Sequence, residues 1–130
     1  MNKRIYPKRM TFSVYDENHV IAYLNEELLE KYLPDDADEG DEPYTAYAYS
    51  GPEADGGTML ETNSTDRDAL INAVIRSKYT QTEEDAIKTH QLMMIQNPDC
   101  AKASDYSSEW SVFLVEREYA INLVDRWLTE

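Results

Sequence analysis

Between Pro34 and Pro43 the segment PDDADEGDEP carries six carboxylates and no base, the side chains that can hold a hard cation or imitate nucleic-acid phosphate. A calcium loop needs its oxygens at fixed positions. A register begun at Asp35 puts Ala37 third and Ala46 twelfth, and one begun at Asp36 puts Gly40 fifth and Tyr47 twelfth, so both lose required ligands. A phosphate mimic must order its charges, and fixing such a chain costs about 1 to 2 kcal/mol per residue. The segment therefore reads as a solvated connection.

The other reactive residue types are sparse. GPEADGGT, residues 51–58, has the paired glycines of a phosphate loop but no lysine after them, and Glu53 and Asp55 would repel an anion. It reads as a turn. His19 and His90 are the only histidines and neither lies in HExxH; no GxSxG element supplies a nucleophile, and Cys100 is the single cysteine. His90 shares a face with Ile87 and Met94 and is expected in a core. Paired carboxylates such as Asp35 with Asp36, or Glu83 with Asp85, have no motif around them that would make one an acid and the other a base. The expectation is a protein that is not an enzyme and needs neither cofactor nor metal.

Two features favour protein contacts. Leu92, Met93, Met94 and Ile95 make a stretch apolar around more of a helix than one buried stripe uses, and methionines adapt to irregular partners. Arg117 interrupts the last apolar stripe, as a buried ion pair or as the stripe's exposed edge. These five residues form the candidate protein interface, with self-association one use of it.

Charge bounds the partners. The net charge of −14 divides into +4 over residues 1–15, −14 over 16–66 and −4 over 67–130. Acid of that density repels nucleic acid and anionic lipid, so direct nucleic-acid binding is disfavoured. The basic start, Lys3, Arg4, Lys8 and Arg9, reads as a solvated arm, and no apolar signal core follows it. No apolar run approaches membrane-spanning length, so a cytoplasmic protein is expected.

The elements that would position these residues follow from periodicity. Met10, Phe12 and Val14 alternate with polar residues, DENH turns the chain, and VIAYL resumes, predicting an antiparallel hairpin over 8–24. Residues 25–33 could extend a strand or make a short helix, and Asn25 with the spacing of Leu28, Leu29, Tyr32 and Leu33 favours the helix; alternation with a glycine-rich turn predicts a second hairpin over 44–62. Three helices are expected within 65–129, the first two opened by capping boxes at Thr65/Asp68 and Thr82/Asp85. The last carries Trp110, Phe113, Leu114, Ile121, Val124, Trp127 and Leu128 at steps of three and four. The fold class is α+β, a small antiparallel sheet in the N-terminal half packed against three C-terminal helices, in a single domain over 1–130.

The segments EADGGTMLE and TDRDALINAVIRSKYTQTEEDAI, followed by a spacer and an aromatic helix, resemble a group of small acidic proteins encoded in prophages and mobile elements of gut Bacteroides and their relatives. The resemblance spans roughly residues 44–128. It implies a phage or prophage setting and a virion-associated or assembly role, and it carries no catalytic residues. The alternative drawn from charge alone is an acidic inhibitor, a DNA mimic occupying the nucleic-acid site of a partner protein.

Overall fold

A computed structural model describes residues 1–129 as six strands followed by three helices, an α+β arrangement. The chain divides into two compact units, Met1–Asn63 and the helical part from Ser64 onward.

The first unit holds two three-stranded antiparallel sheets where one was expected. One has the order β1(Asn2–Tyr6), β5(Tyr44–Gly51), β4(Glu27–Tyr32); the other has the order β2(Phe12–Asp16), β3(His19–Ala22), β6(Thr58–Glu61). The hairpin over 8–24 forms as β2 and β3, turned where Asp16 accepts the Asn18 amide at 2.8 Å. Val20, Ala22, Tyr23 and Leu24 are buried, while Val14 faces solvent.

The second expected hairpin is corrected: both strands exist, but β5 pairs with β1 and β4 while β6 pairs with β3. Residues 51–57 between them are built tightly. Gly57 O accepts Glu53 N at 3.0 Å, Asp55 Oδ1 accepts Gly57 N at 2.9 Å, and Gly56 takes φ +82°, a conformation that favours glycine. These glycines let two sheets share one crossing.

The short helix over 25–33 is also corrected, to strand β4. Asn25 has φ +57°, a left-handed turn that breaks helical propagation at the expected cap, and the next residues pair as Glu27↔Ala48, Leu28↔Tyr47 and Leu29↔Ala46. A nine-residue helix is marginal in water, and β5 offers backbone partners along its full edge. The basic arm is a strand too, since Asn2 to Tyr6 pair with Gly51 to Tyr47. The acidic connection runs from β4 to β5. Ala37 N bonds Pro34 O, Asp38 N bonds Asp41 Oδ2 at 2.8 Å, and Tyr32 meets Tyr44 edge-on at its base. All six of its carboxylate residues are exposed. Exchanging them for Asn and Gln should leave the fold intact and lower solubility, measured by circular dichroism and by the concentration at which precipitate forms.

The second unit is α1(Arg67–Arg76), α2(Gln81–Gln96) and α3(Ala103–Thr129). Leu70, Ala73 and Val74 make the buried stripe of α1; Phe113, Ala120, Leu123, Val124 and Trp127 make that of α3. The expected cap at Thr65 is displaced to Asp66, which makes no side-chain capping bond. The capping box of α2 sits two residues before the expected one: Thr80 Oγ1 accepts Glu83 N at 3.1 Å, and Glu83 Oε1 accepts Thr80 N at 3.3 Å. Helices α1 and α3 are tied at both ends, by Arg67 to Asp125 at 2.6 Å and Lys78 to Glu116 at 2.6 Å. Among the described residues no helix is long and apolar enough to cross a membrane.

Candidate protein-contact surface

Helix α2 is fixed by its first half and by one crossing. Glu84 is 7% exposed and accepts from Arg76 Nη2 at 3.0 Å on α1 and from Lys88 Nζ at 2.7 Å one turn on. Burial pushes the Glu84 carboxyl up, but the bonds from Lys88 and Arg76 outweigh it and hold it below the usual range. Ile87 follows on the same face and is buried. His90 then stacks on Tyr106 of α3, ring centroids 4.3 Å apart, and its Nδ1 lies 3.1 Å from Glu109 Oε1. The expected core histidine is therefore half-buried and serves as the clasp between α2 and α3.

Beyond that clasp α2 has no fully buried residue. Glu84 and Ile87 are the buried residues of this 16-residue helix, whereas Leu92 is 62%, Met93 49% and Ile95 62% exposed and Met94 is half-buried. Exposing three large apolar side chains within four residues forgoes about 1.5 to 3 kcal/mol of burial for each. Four of the five expected interface residues thus lie in one short helical stretch.

Arg117 does not join them. It is exposed on α3, eight residues past Glu109, so it lies about 12 Å further along that helix from the clasp. It marks the outer edge of the apolar stripe. Arg117→Leu should keep the fold and change stability by less than about 0.5 kcal/mol, because its side chain is exposed. A denaturant midpoint shifted beyond that would show an essential ion pair.

Helix α3 adds exposed residues that periodicity did not single out. Val112 and Val115 face solvent, as does Leu114, which the sequence pattern placed in the buried stripe. Three- and four-residue spacing alone cannot separate the two sides of a helix this rich in apolar residues. The signal was present in Val112 and Val115, one turn apart and off the main stripe.

The polar groups around the glycine-rich turn are engaged internally. Tyr23 donates to Asp55 Oδ2 at 2.8 Å, Tyr6 makes a short bond to the Asp55 carbonyl, and Tyr49 donates to Glu26 Oε1 at 2.8 Å while accepting from Met10 N. Burial, with the Asp55 carboxylate beside it, pushes the Tyr23 hydroxyl up to about 12. The hydrogen bonds from Tyr23 and the Gly57 amide hold Asp55 below its usual range. The glycine-rich turn thus spends its donors on its own carbonyls and on Asp55, leaving no anion cradle. His19 bonds Asp16 Oδ1 at 2.8 Å beside a shallow depression lined by Asn18, Glu61, Thr62 and Asn63. Among the described residues no group of three or more His, Cys, Asp or Glu side chains is placed to hold a metal ion.

No protein-family model, curated protein or solved structure matches this chain.

Proposed function

We propose that this is a non-enzymatic, prophage-type structural or assembly accessory protein that acts through protein–protein contacts made by the second half of α2. The exposure of Leu92, Met93 and Ile95 on a helix whose last fixed point is the His90 clasp carries this reading. A rigid helix presenting i, i+1 and i+3 anchors suits a hydrophobic groove on a partner. Residues 86–98 contain no carboxylate, so the surface can approach a partner without the repulsion the rest of the chain imposes. The phage setting rests on the resemblance over residues 44–128, with a cytoplasmic or virion-associated location.

A second reading, an acidic protein occupying a nucleic-acid site, gains support from the Pro34/Ala37 and Asp38/Asp41 bonds, which order part of the acidic connection. The two readings differ in salt dependence. Apolar docking persists at high salt, whereas a phosphate mimic loses its partner steeply. A pull-down from the native host with the wild type and with L92D/I95D tests them. Virion proteins retained at high salt by the wild type and lost by the variant are the expected result; a nuclease or DNA-binding protein recovered equally by both, and only at low salt, would replace the first reading with the second.

A further inference from the structure

We propose that the sheet of β1, β5 and β4 is a head-to-tail assembly module, the basic edge of one copy receiving the acidic edge of a second copy of this chain. Strand β1 has a sheet neighbour on one side only, β5, and β4 forms the opposite edge. β1 pairs with β5 over five consecutive residues without a register shift, so its outward row of backbone donors and acceptors is straight. Asn2 to Ile5 are all exposed. A straight, exposed edge is a template for another strand.

The charges choose which strand. Lys3 and Arg4 lie on β1 and Lys8 and Arg9 follow it, with no acid in the first 15 residues. Glu27 and Glu30 lie on β4, Glu26 precedes them, and the six acids of the β4–β5 connection follow, against Lys31 alone. Two β1 edges would set like charges opposite each other, as would two β4 edges; a β1 edge against a β4 edge sets unlike charges together. Within one chain Lys3 pairs with Glu27 at 2.7 Å and Arg9 with Glu26 at 3.1 Å, leaving Arg4, Lys8 and Glu30 outside those pairs. The same chain therefore carries both halves of the contact, which makes a second copy the occupant. The register shift between Leu29 and Tyr32 and the left-handed Lys31 confine the straight part of β4 to Glu27–Leu29. Such a contact is heterologous, so copies add in one direction and form a ring or an open chain.

This surface shares no residue with α2, and its test separates the two. Sedimentation of the full chain, from tens of micromolar to about 1 mM, should show mass rising with concentration in about 50 mM salt, and an association constant at least about tenfold weaker in 500 mM salt. K3E/R4E and E27K/E30K, each folded by circular dichroism, should be monomeric alone. Their mixture should associate again, because every edge then meets its opposite. L92D/I95D should associate as the wild type does. A wild type that stays monomeric throughout, reversed-charge variants that still assemble alone, a mixture that does not recover, or loss of assembly in L92D/I95D would each overturn the proposal.

Discussion

Gly51→Ala is expected to cost the β unit about 3 kcal/mol or more, near the upper range for forcing atoms into packed space. A methyl group there would lie 2.2 Å from the Gly57 carbonyl oxygen and 2.7 Å from Thr58 Oγ1. The first is backbone, and that oxygen already accepts the Glu53 amide at 3.0 Å, so it cannot retreat without leaving a donor unpaired. Gly51 also ends β5 opposite Asn2, so displacing it pulls on β1. Domains are stable by only about 5 to 15 kcal/mol, and a loss of this size is a large share of that. Gly40→Ala is the matched comparison: nothing stands within 4 Å, but φ is +96°, so the cost is conformational and nearer 1 kcal/mol. Denaturant midpoints followed by NMR on residues 1–63 should rank Gly51→Ala far below Gly40→Ala. Equal midpoints would mean that the Gly51–Gly57 approach is not a tight one.

Glu84→Gln carries the largest expected effect in the helical unit, about 1 to 3 kcal/mol, because it leaves Arg76 and Lys88 facing a neutral group in a mostly buried place. Lys88 is half-exposed and recovers hydration; Arg76 is more enclosed and bears more of the loss. The pH dependence has a definite sign. The carboxyl is held below its unfolded value, so its contribution is complete above the ordinary glutamate range and disappears as pH falls through the folded value. Wild-type helical stability should therefore decline on acidification more steeply than that of Glu84→Gln, which lacks this contribution at every pH. Parallel profiles from thermal melts across the acid range would remove Glu84 from the account.

Helices were legible in this sequence because their determinants are local. Leu70, Val74, Phe113, Val124 and Trp127 fall at spacings that only a helix brings to one face, and all five are buried. Cap positions were less legible, since Thr80-x-x-Glu83 and Thr82-x-x-Asp85 offer the same chemistry two residues apart and only the first is used. Strands β2, β3, β5 and β6 were legible as segments, but only β2 and β3 as partners, whereas β1 read as a solvated arm and β4 as a helix. Nothing local tells Tyr44–Gly51 to pair with Asn2–Tyr6 instead of Thr58–Glu61, because pairing is decided by residues far apart in sequence, as Asn2 is from Gly51. Leu28, Leu29, Tyr32 and Leu33 satisfied a helical spacing that the open edge of β5 overrode. For the contact surface, the excess apolarity of Leu92 to Ile95 was visible before any fold, whereas the separation of Arg117 from it depended on where the His90–Glu109 clasp falls.

Trp110 and Trp127, the only two tryptophans, both sit on α3, whereas seven of the ten tyrosines lie in the β unit. Selective excitation at the red edge of the absorption band consequently interrogates the helices alone. Intrinsic tryptophan emission therefore reports one half of the chain, while tyrosine near-ultraviolet dichroism is weighted towards the other, without any label being attached.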